Sequence, residues 1–441
     1  MSSIITENFK ILLAKQVYNL LEVGANSYLP APRKSYVYAL MGKQLRWNAG
    51  TEVAGTPSDT ITYLNDVYKT AIAAKRLSIE NASLVAPRIN WANSTIYNTY
   101  TSNTNFYVLT SKDQVFKCLS NNSGALSTSE PELSLSTTSL EEPFVQTEDG
   151  YKWKYMFTLT SIQKQKFLTE EWMPTVFNKF VRAAAEPGSI DIVHITNSGN
   201  NYTNGATQSI INISGVGTGA VLKANVSDGK VVNIIIQNRG TNYTYANLSF
   251  QDVVGGSGSD AAATVSISPV DGHGYDPVYE LRASTILFNV DFEEDESGLI
   301  PTNNDFREIT LIQNPYLRGT TTLATSNTYS LYTKVKVSPG VGDFSSDEVV
   351  YQGTDISTST FTADVISFDD VENFLYLNNV KGTLGVNQSI KGISSGAIRV
   401  VNSVTNPSLE LYSGKVLYIS DKLPVTRDPS QTERIRFILS F

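Results

Sequence analysis

The chain has 441 residues, 41% of them apolar and only 17% charged, and its formal net charge is −8 at pH 7. This length predicts about two to four domains, and the acidic balance argues against nucleic-acid binding, which needs clustered Lys and Arg. The one cysteine, Cys118, permits no internal disulfide, so we expect assembly in a reducing cytoplasm. No apolar run approaches the ~18 residues of a membrane-spanning helix.

Two helices are predicted near the N-terminus. Apolar residues recur at spacings of three and four between Phe9 and Leu21, and Gly24 is placed to end this first helix. A strand is predicted at 35–40. Asp59 is the expected N-cap of the second helix, whose apolar stripe runs over 61–72.

After residue 87 the pattern is typical of strands joined by polar turns, with one further helix predicted at Ser161–Phe167. Residues 120–140 are rich in Ser, Thr, Asn and Glu and are predicted to form a loop. The main predicted strands are 106–109, 115–119, 151–157, 331–337, 348–351, 374–377, 415–419 and 434–441.

One segment of the sequence is repeated. Ile195–Thr203 recurs as Ile236–Thr244 at an offset of 41 residues, with strands and Gly-rich turns in both copies. Two copies are fewer than a solenoid needs, so we expect a compact β-module in which each copy covers the apolar face of the other. The equivalent Tyr202 and Tyr243 are interpreted as packing residues, with a sugar-stacking platform as the alternative.

The predicted fold class is α+β, mainly β, with a discontinuous framework and two inserted all-β modules. The framework comprises 1–185, 271–322 and 409–441. The duplicated module occupies 186–270, and a small β-barrel or sandwich occupies 323–408.

The sequence offers few candidates for catalysis. His194, in a predicted strand, and His273, in a turn that leaves the duplicated module, are interpreted as structural. Gly392–Gly396 matches the nucleophile-elbow pattern around Ser394. Neither histidine follows that serine and the flanking sequence predicts strands, so the match does not support a hydrolase.

The densest acidic run is Asp291–Glu296, which is typical of a solvated or partner-facing loop. A calcium site with Asp291, Glu293 and Asp295 as ligands is a weaker alternative, because the glycine that a calcium loop requires comes two positions late, at Gly298. Paired carboxylates could also serve a glycosidase, which is a third interpretation.

Several ordered patches carry a resemblance to a known family. The residues that define them are Pro87, Arg88 and Trp91; Asp149, Gly150, Tyr151 and Trp153; Phe306, Arg307, Asn314 and Pro315; and Gln431, Thr432 and Phe441. Together with the segment at 414–419, they resemble the baseplate wedge subunit encoded by gene 8 of T-even-type contractile phages. The two β-modules lie outside the resemblance.

The resemblance implies a structural, non-enzymatic subunit of the virion tail baseplate, without cofactor or catalytic residues. It also implies a homodimer that contacts other wedge proteins and tail-fibre attachment proteins. Two alternatives remain at this stage. One is a receptor- or glycan-binding tail protein with the β-modules as ligand heads, and the other is an envelope-degrading hydrolase that uses the acidic run.

Overall fold

The computed structural model describes residues 4–21, 35–44, 54–100, 104–133, 144–250 and 258–441. With 47% strand and 12% helix, it confirms the α+β, mainly β, fold class. The chain divides into two compact units. Unit 1 comprises Met1–Lys15, Ser83–Ile286 and Leu439–Phe441, and unit 2 comprises Gln16–Ala82 and Leu287–Ile438.

The elements are numbered in chain order. The helices are α1 (Glu7–Asn19), α2 (Ile61–Thr70), α3 (Ser161–Phe167), α4 (Lys179–Ala183) and α5 (Pro277–Glu280). The strands up to residue 267 are β1 (Val37–Gly42), β2 (Ala71–Leu77), β3 (Ala82–Pro87), β4 (Tyr107–Leu109), β5 (Gln114–Ser120), β6 (Val145–Gln146), β7 (Lys152–Thr158), β8 (Trp172–Pro174), β9 (Ile190–Asn200), β10 (Gly205–Gly215), β11 (Thr218–Ser227), β12 (Lys230–Thr241), β13 (Ala246–Ser249) and β14 (Ser259–Ile267). The remaining strands are β15 (Thr285–Glu293), β16 (Asn304–Gln313), β17 (Thr328–Ser330), β18 (Thr333–Val337), β19 (Val349–Gln352), β20 (Phe361–Asp369), β21 (Phe374–Gly382), β22 (Ser389–Gly392), β23 (Ile398–Thr405), β24 (Lys415–Arg427) and β25 (Thr432–Ser440).

Unit 1 contains an antiparallel sheet of order β4-β5-β7-β6. β5 is buried along almost its whole length, and β7 is buried at Trp153 and from Tyr155 to Phe157. One face packs around Phe106, Met156 and Phe157, and the other around Phe116 and Trp153. The sheet is therefore a central layer of the unit, with a core on each side.

The duplicated module of unit 1 closes by pairing between its copies. β9 of the first copy pairs with β14 of the second, and β12 of the second pairs with β11 of the first. The two ladders match at the repeat offset: Ala261 opposes Ser198, and Ala220 opposes Arg239. Register shifts fall at the same places in both, so the repeat in sequence is a repeat in hydrogen-bond pattern.

Unit 2 combines an open sheet with a closed barrel. The antiparallel sheet has the order β17-β2-β1-β16-β24, and the barrel is formed by β18-β21-β20-β19-β22-β23. The barrel is filled by alternating inward residues such as Val335, Val365 and Leu377, each at most 1% exposed. This barrel lies within 323–408.

The N-terminal helices differ in detail from the sequence prediction. Thr60, not Asp59, is the N-cap of α2, because its side chain accepts the Tyr63 N–H. The helix also ends at Thr70, since Ala71 is extended and begins β2. In α1 the expected apolar face is largely exposed, with Phe9 49% accessible. Gly24 and part of the predicted loop at 120–140 lie outside the described residues.

Candidate functional site

A network of buried charges joins four elements of unit 1. Lys117 Nζ on β5 lies 2.5 Å from Glu280 Oε1 on α5 and 3.9 Å from Asp191 Oδ2 on β9. Lys154 on β7 pairs with the same Asp191 carboxylate. The side chains of Lys117, Asp191 and Glu280 are 0%, 1% and 1% exposed. We call these four residues and His273 the unit 1 ionic network.

His273 ties the turn before α5 to the central sheet. Its Nδ1 lies 2.8 Å from Glu280 Oε1, and its Nε2 lies 2.7 Å from the Tyr155 carbonyl oxygen. The neutral ring donates to one of these acceptors, and the imidazolium would donate to both. The Gly274 N–H donates to the second Glu280 oxygen at 2.7 Å. The helix itself begins after Asp276, which caps the Tyr279 N–H.

The charges of the unit 1 ionic network stabilise one another. Burial alone would raise the pKa of Glu280, but Lys117 and His273 hold it well below its usual range. Burial would lower the pKa of Lys117, yet Glu280 and Asp191 raise it. Burial lowers the pKa of His273. Because Lys117, Asp191 and Glu280 are enclosed, the network acts as an electrostatic cross-link between elements, with Lys154 at its more exposed edge.

A second network lies in unit 2 and is centred on the patch residue Arg307. Its guanidinium binds both oxygens of Asp305, at 2.6 and 3.0 Å, and donates to Asp347 at 2.6 Å and to the Gln44 carbonyl at 2.6 Å. Lys43 Nζ completes the set, 2.5 Å from Asp305 and 3.4 Å from Asp347. Arginine suits this position because its planar fork satisfies several acceptors at once.

Next to Arg307, two carboxyl groups oppose each other across paired strands. Glu308 on β16 is the register partner of Asp421 on β24. The Tyr63 hydroxyl donates to Asp421 at 2.6 Å, and the Gln44 amide donates to Glu308. Burial and the neighbouring Asp421 raise the pKa of Glu308 to about 8. Glu308 therefore keeps its proton at neutral pH, which relieves the repulsion between the two groups.

The first two sequence patches meet in unit 1. Trp91 Nε1 donates to Ser127 Oγ at 3.1 Å, and that hydroxyl donates to Asp149 at 3.1 Å. The Asp149 carboxylate also accepts backbone N–H groups, including that of Tyr151 at 3.1 Å. Tyr151 and Trp153 are both fully buried and stack with ring centroids 5.4 Å apart. These residues close one face of the central sheet.

The other residues of these patches shape the backbone. The Pro87 carbonyl accepts the Tyr107 hydroxyl at 2.6 Å, and Arg88 donates to the Thr169 carbonyl at 2.8 Å. Gly150 has φ +84°, and a Cβ there would stand 2.8 Å from the Asn122 amide. Glycine is thus required at this turn for both conformation and space.

The later patches converge in unit 2. Phe306, 2% exposed, and Arg307 lie on β16, which pairs with β24 and so with the segment at 414–419. Asn314, at φ 55°, exchanges two 2.8 Å hydrogen bonds with the backbone of Tyr36. Pro315 follows, and its carbonyl accepts the Ala324 N–H.

The C-terminal patch residues lie around β25. The Gln431 carbonyl accepts the Glu294 N–H at 3.1 Å, and Thr432 begins the strand. Phe441 follows the last strand residue and is partly buried.

The carboxylates of the acidic run at Asp291–Glu296 do not converge on one point. Asp291 forms a bidentate pair with Arg434 at 2.9 and 3.1 Å, while Asp295 accepts the N–H of Ser297 at 3.0 Å. Among the described residues, no three His, Cys, Asp or Glu side chains are arranged to hold a metal ion. This includes the three candidate calcium ligands, Asp291, Glu293 and Asp295. The calcium alternative has no geometric support here.

The remaining residues singled out from the sequence have structural contacts. Ser394 and Ser395 donate their backbone N–H groups to Glu348 at 3.1 and 3.0 Å, in a turn between β22 and β23. A strand-to-strand turn is not the strand–turn–helix of a nucleophile elbow. His194 Nε2 lies 3.4 Å from the Ser266 hydroxyl, and burial lowers its pKa.

The two repeat tyrosines are buried at equivalent places. Tyr202 and Tyr243 are each 6% exposed. A Cβ on Gly258 would stand 2.3 Å from the Tyr202 ring, and one on Gly217 would stand 2.3 Å from the Tyr243 ring. Each ring therefore packs against the opposite copy and offers no open face on which a sugar could stack.

A cavity of about 500 Å³ lies within unit 2, between the open sheet and the barrel. Its apolar lining includes Leu40, Ile312 and Phe361. Asn378 is one of its polar lining residues and donates to the carbonyls of Lys43 and Thr70 at 3.2 and 3.1 Å. The size is that of a small-molecule pocket, but the Asn378 amide at its wall is already hydrogen-bonded to the protein.

Sequence reasoning missed the unit 1 ionic network. One signal was present: Lys117 interrupts the apolar strand sequence between Phe116 and Cys118, and a lysine there needs a buried carboxylate partner. The identities of Asp191 and Glu280 as partners could not be read from the sequence, because they lie far along the chain.

No protein-family model matches the chain, and no curated protein matches it significantly. Within the part of the chain that the structure describes, none of the helices has the length and apolar character needed to cross a membrane.

Proposed function

We propose that this chain is a structural subunit of the baseplate wedge of a contractile phage tail. The observation that carries the proposal is the convergence of the patches that resemble the wedge-subunit family. The patches at 87–91 and 149–157 meet around Asp149, and those at 306–315 and 414–419 lie on paired strands. Such convergence is expected if the resemblance reflects a shared fold, because fold-determining motifs pack against one another.

The charge networks support a mechanical role. Lys117 and Arg307 each cross-link elements that are distant in sequence, with little exposed surface. Separating the partners of such a buried pair is strongly destabilising, so internal rearrangements that pull these elements apart are disfavoured. When the baseplate changes shape, such a subunit moves as a rigid body and exchanges contacts at its rim.

The proposed partners are a second copy of the chain, other wedge proteins and tail-fibre attachment proteins. A homodimer with two-fold symmetry would use one self-complementary surface twice. The subunit would hold its neighbours in register during assembly and during the rearrangement triggered by the host.

The test is a phage whose copy of this gene carries an early stop codon, grown with and without a plasmid copy. We expect no complete baseplates without the plasmid, and full assembly with it. Electron cryomicroscopy of the complemented tails should place the chain in the baseplate wedge. Tails that assemble normally and infect cells without the chain would refute the proposal, as would density for it elsewhere in the virion.

A further inference from the structure

Aromatic and basic side chains form an exposed patch on α4 and the residues just before it, and on α5 and the turn that leads into it. Phe177 and Phe180 are each 61% exposed, and Tyr275 and Tyr279 are 44% and 39% exposed. Large aromatic groups left together in water mark an interaction site more often than they serve stability. The aromatic–basic patch is defined here as Phe177, Lys179, Phe180, Arg182, Tyr275 and Tyr279.

Two cations of the patch lie on aromatic rings. The Arg182 guanidinium carbon is 5.3 Å from the Phe177 ring centroid and 4.8 Å from that of Tyr275. Lys179 Nζ is 4.8 Å from the Phe180 centroid. Neither cation pairs with a carboxylate of the described residues.

Lys15, unlike Lys179 and Arg182, has a carboxylate partner in the part of the chain that the structure describes. It lies 4.1 Å from the Tyr279 ring centroid but is already neutralised by an ion pair with Asp276. Among the described residues, the patch thus carries two positive charges without an ion pair, on a chain whose net charge is −8.

The backbone that carries the patch is fixed by buried contacts. Val181 of α4 is 5% exposed and lies so close to the following turn that a Cβ on Gly274 would stand 2.3 Å from its Cγ1. Glu280, at the end of α5, is fixed by the unit 1 ionic network. Pre-organised side chains lose little conformational entropy on binding, which favours a specific partner.

We infer that the aromatic–basic patch is a docking surface for an acidic segment of a partner protein. A guanidinium between two rings keeps its N–H edge free for a carboxylate, and this pairing can be bidentate. Phe, Tyr and Arg are enriched in protein interfaces, and Tyr and Arg also in their energetic centres. Two cations on an acidic chain are too few for nucleic acid, which needs many phosphate contacts. The inference does not depend on the baseplate proposal.

The experiment selects peptides from a random dodecapeptide library on the immobilised full-length protein. We expect the selected peptides to be enriched in Asp and Glu relative to the library. Fluorescence anisotropy then measures the affinity of the most enriched peptide. The double substitution K179E/R182E should weaken binding by about tenfold or more, which corresponds to ~1.4 kcal/mol. The matched double substitution K230E/K381E, at exposed lysines outside the patch, should change it by less than about twofold.

Three results would overturn the inference. The first is a selected set without acidic enrichment, including one dominated by apolar or basic sequences. The second is acidic binding that survives K179E/R182E or that F177S/F180S leaves unchanged. The third is a wild-type dimer that K179E/R182E converts to monomers in sedimentation, because the occupant would then be a second copy. Far-UV circular dichroism and thermal unfolding of each variant verify that these exposed substitutions leave the fold intact.

Discussion

Replacing Glu280 by Gln tests the unit 1 ionic network most directly. The carboxylate is bonded to Lys117, His273 and the Gly274 N–H. A glutamine oxygen in the place of Oε1 can still accept from Lys117 and His273, but it carries no charge, and the amide nitrogen in the place of Oε2 cannot accept the Gly274 N–H. The ionic strength of the Lys117 contact and the Gly274 bond are therefore lost, at ~1.5–3 kcal/mol each. Lys117 is left with Asp191 at 3.9 Å. We therefore expect a loss of about 3–5 kcal/mol in the free energy of unfolding, as for other broken buried pairs.

The assay is denaturant unfolding followed by tryptophan fluorescence. Trp91, Trp153 and Trp172 all lie in unit 1, so the signal reports mainly on that unit. For a domain of this size the loss corresponds to a decrease in Tm of roughly 6–20 °C. The control is Glu132→Gln, which removes the same charge from an exposed pair with Lys112 and should cost less than ~1 kcal/mol.

The loss of stability in Glu280→Gln should depend on pH in a defined direction. Because the folded-state pKa of Glu280 is depressed, its contribution is present above the unfolded pKa of ~4.3 and is lost as the pH falls below it. The stability difference between wild type and Glu280→Gln should therefore be largest near pH 6–7 and shrink towards pH 2. Equal costs for Glu280→Gln and the exposed control, or a difference that grows in acid, would refute the reasoning.

Three further predictions follow from other contacts. Glu308→Gln, which mimics the protonated carboxyl, should make the protein more stable than wild type at pH 9. The reason is that the raised pKa of about 8 makes the stability of the wild type fall as the pH rises from ~4.5 through 8. Denaturant unfolding of both proteins at pH 5 and pH 9 measures this effect. A stability difference in favour of Glu308→Gln that is larger at pH 5 than at pH 9 would contradict it. Gly217→Ala should lower the free energy of unfolding by about 1–3 kcal/mol, because the new Cβ would collide with the Tyr243 ring. Gly205→Ala should cost less, since nothing lies within 4 Å of its new Cβ. Equal costs would argue against close packing of Tyr243 on Gly217. Cys118 should react with a thiol reagent only after unfolding, since burial raises its pKa and covers the sulfur, and rapid labelling of the native protein would disprove this.

Local signals predicted local structure well. The helix expected at Ser161–Phe167 has those bounds, because Thr160 and Gln163 form a capping box that the sequence encodes within four residues. The α+β, mainly β, class follows from alternation and turn residues along many strands. The second helix was placed one residue early at its start and extended too far, since the apolar residues at 71 and 72 belong to a strand.

Long-range structure could not be predicted in the same way. The repeat in sequence indicated two similar copies, but the pairing of β9 with β14 depends on which strand edges meet in space. The apolar residues of α1 could be recognised as a face, yet the sequence does not say that Phe9 remains exposed. The partners of Lys117 lie on segments separated by up to 163 positions, so only the fold brings them together.

The two ends of the duplicated module are neighbours. Ile190 and Ile267 are register partners, and just outside them Ser268 donates its N–H to the Ser189 carbonyl at 2.8 Å. A gene could therefore gain or lose this whole segment by one recombination event and leave behind a short connection whose ends already meet. Segments of different length inserted at this point differ little in closure cost, because loop-closure entropy depends only weakly on length. Genes that encode this framework could in this way diverge by exchanging the whole segment at this point.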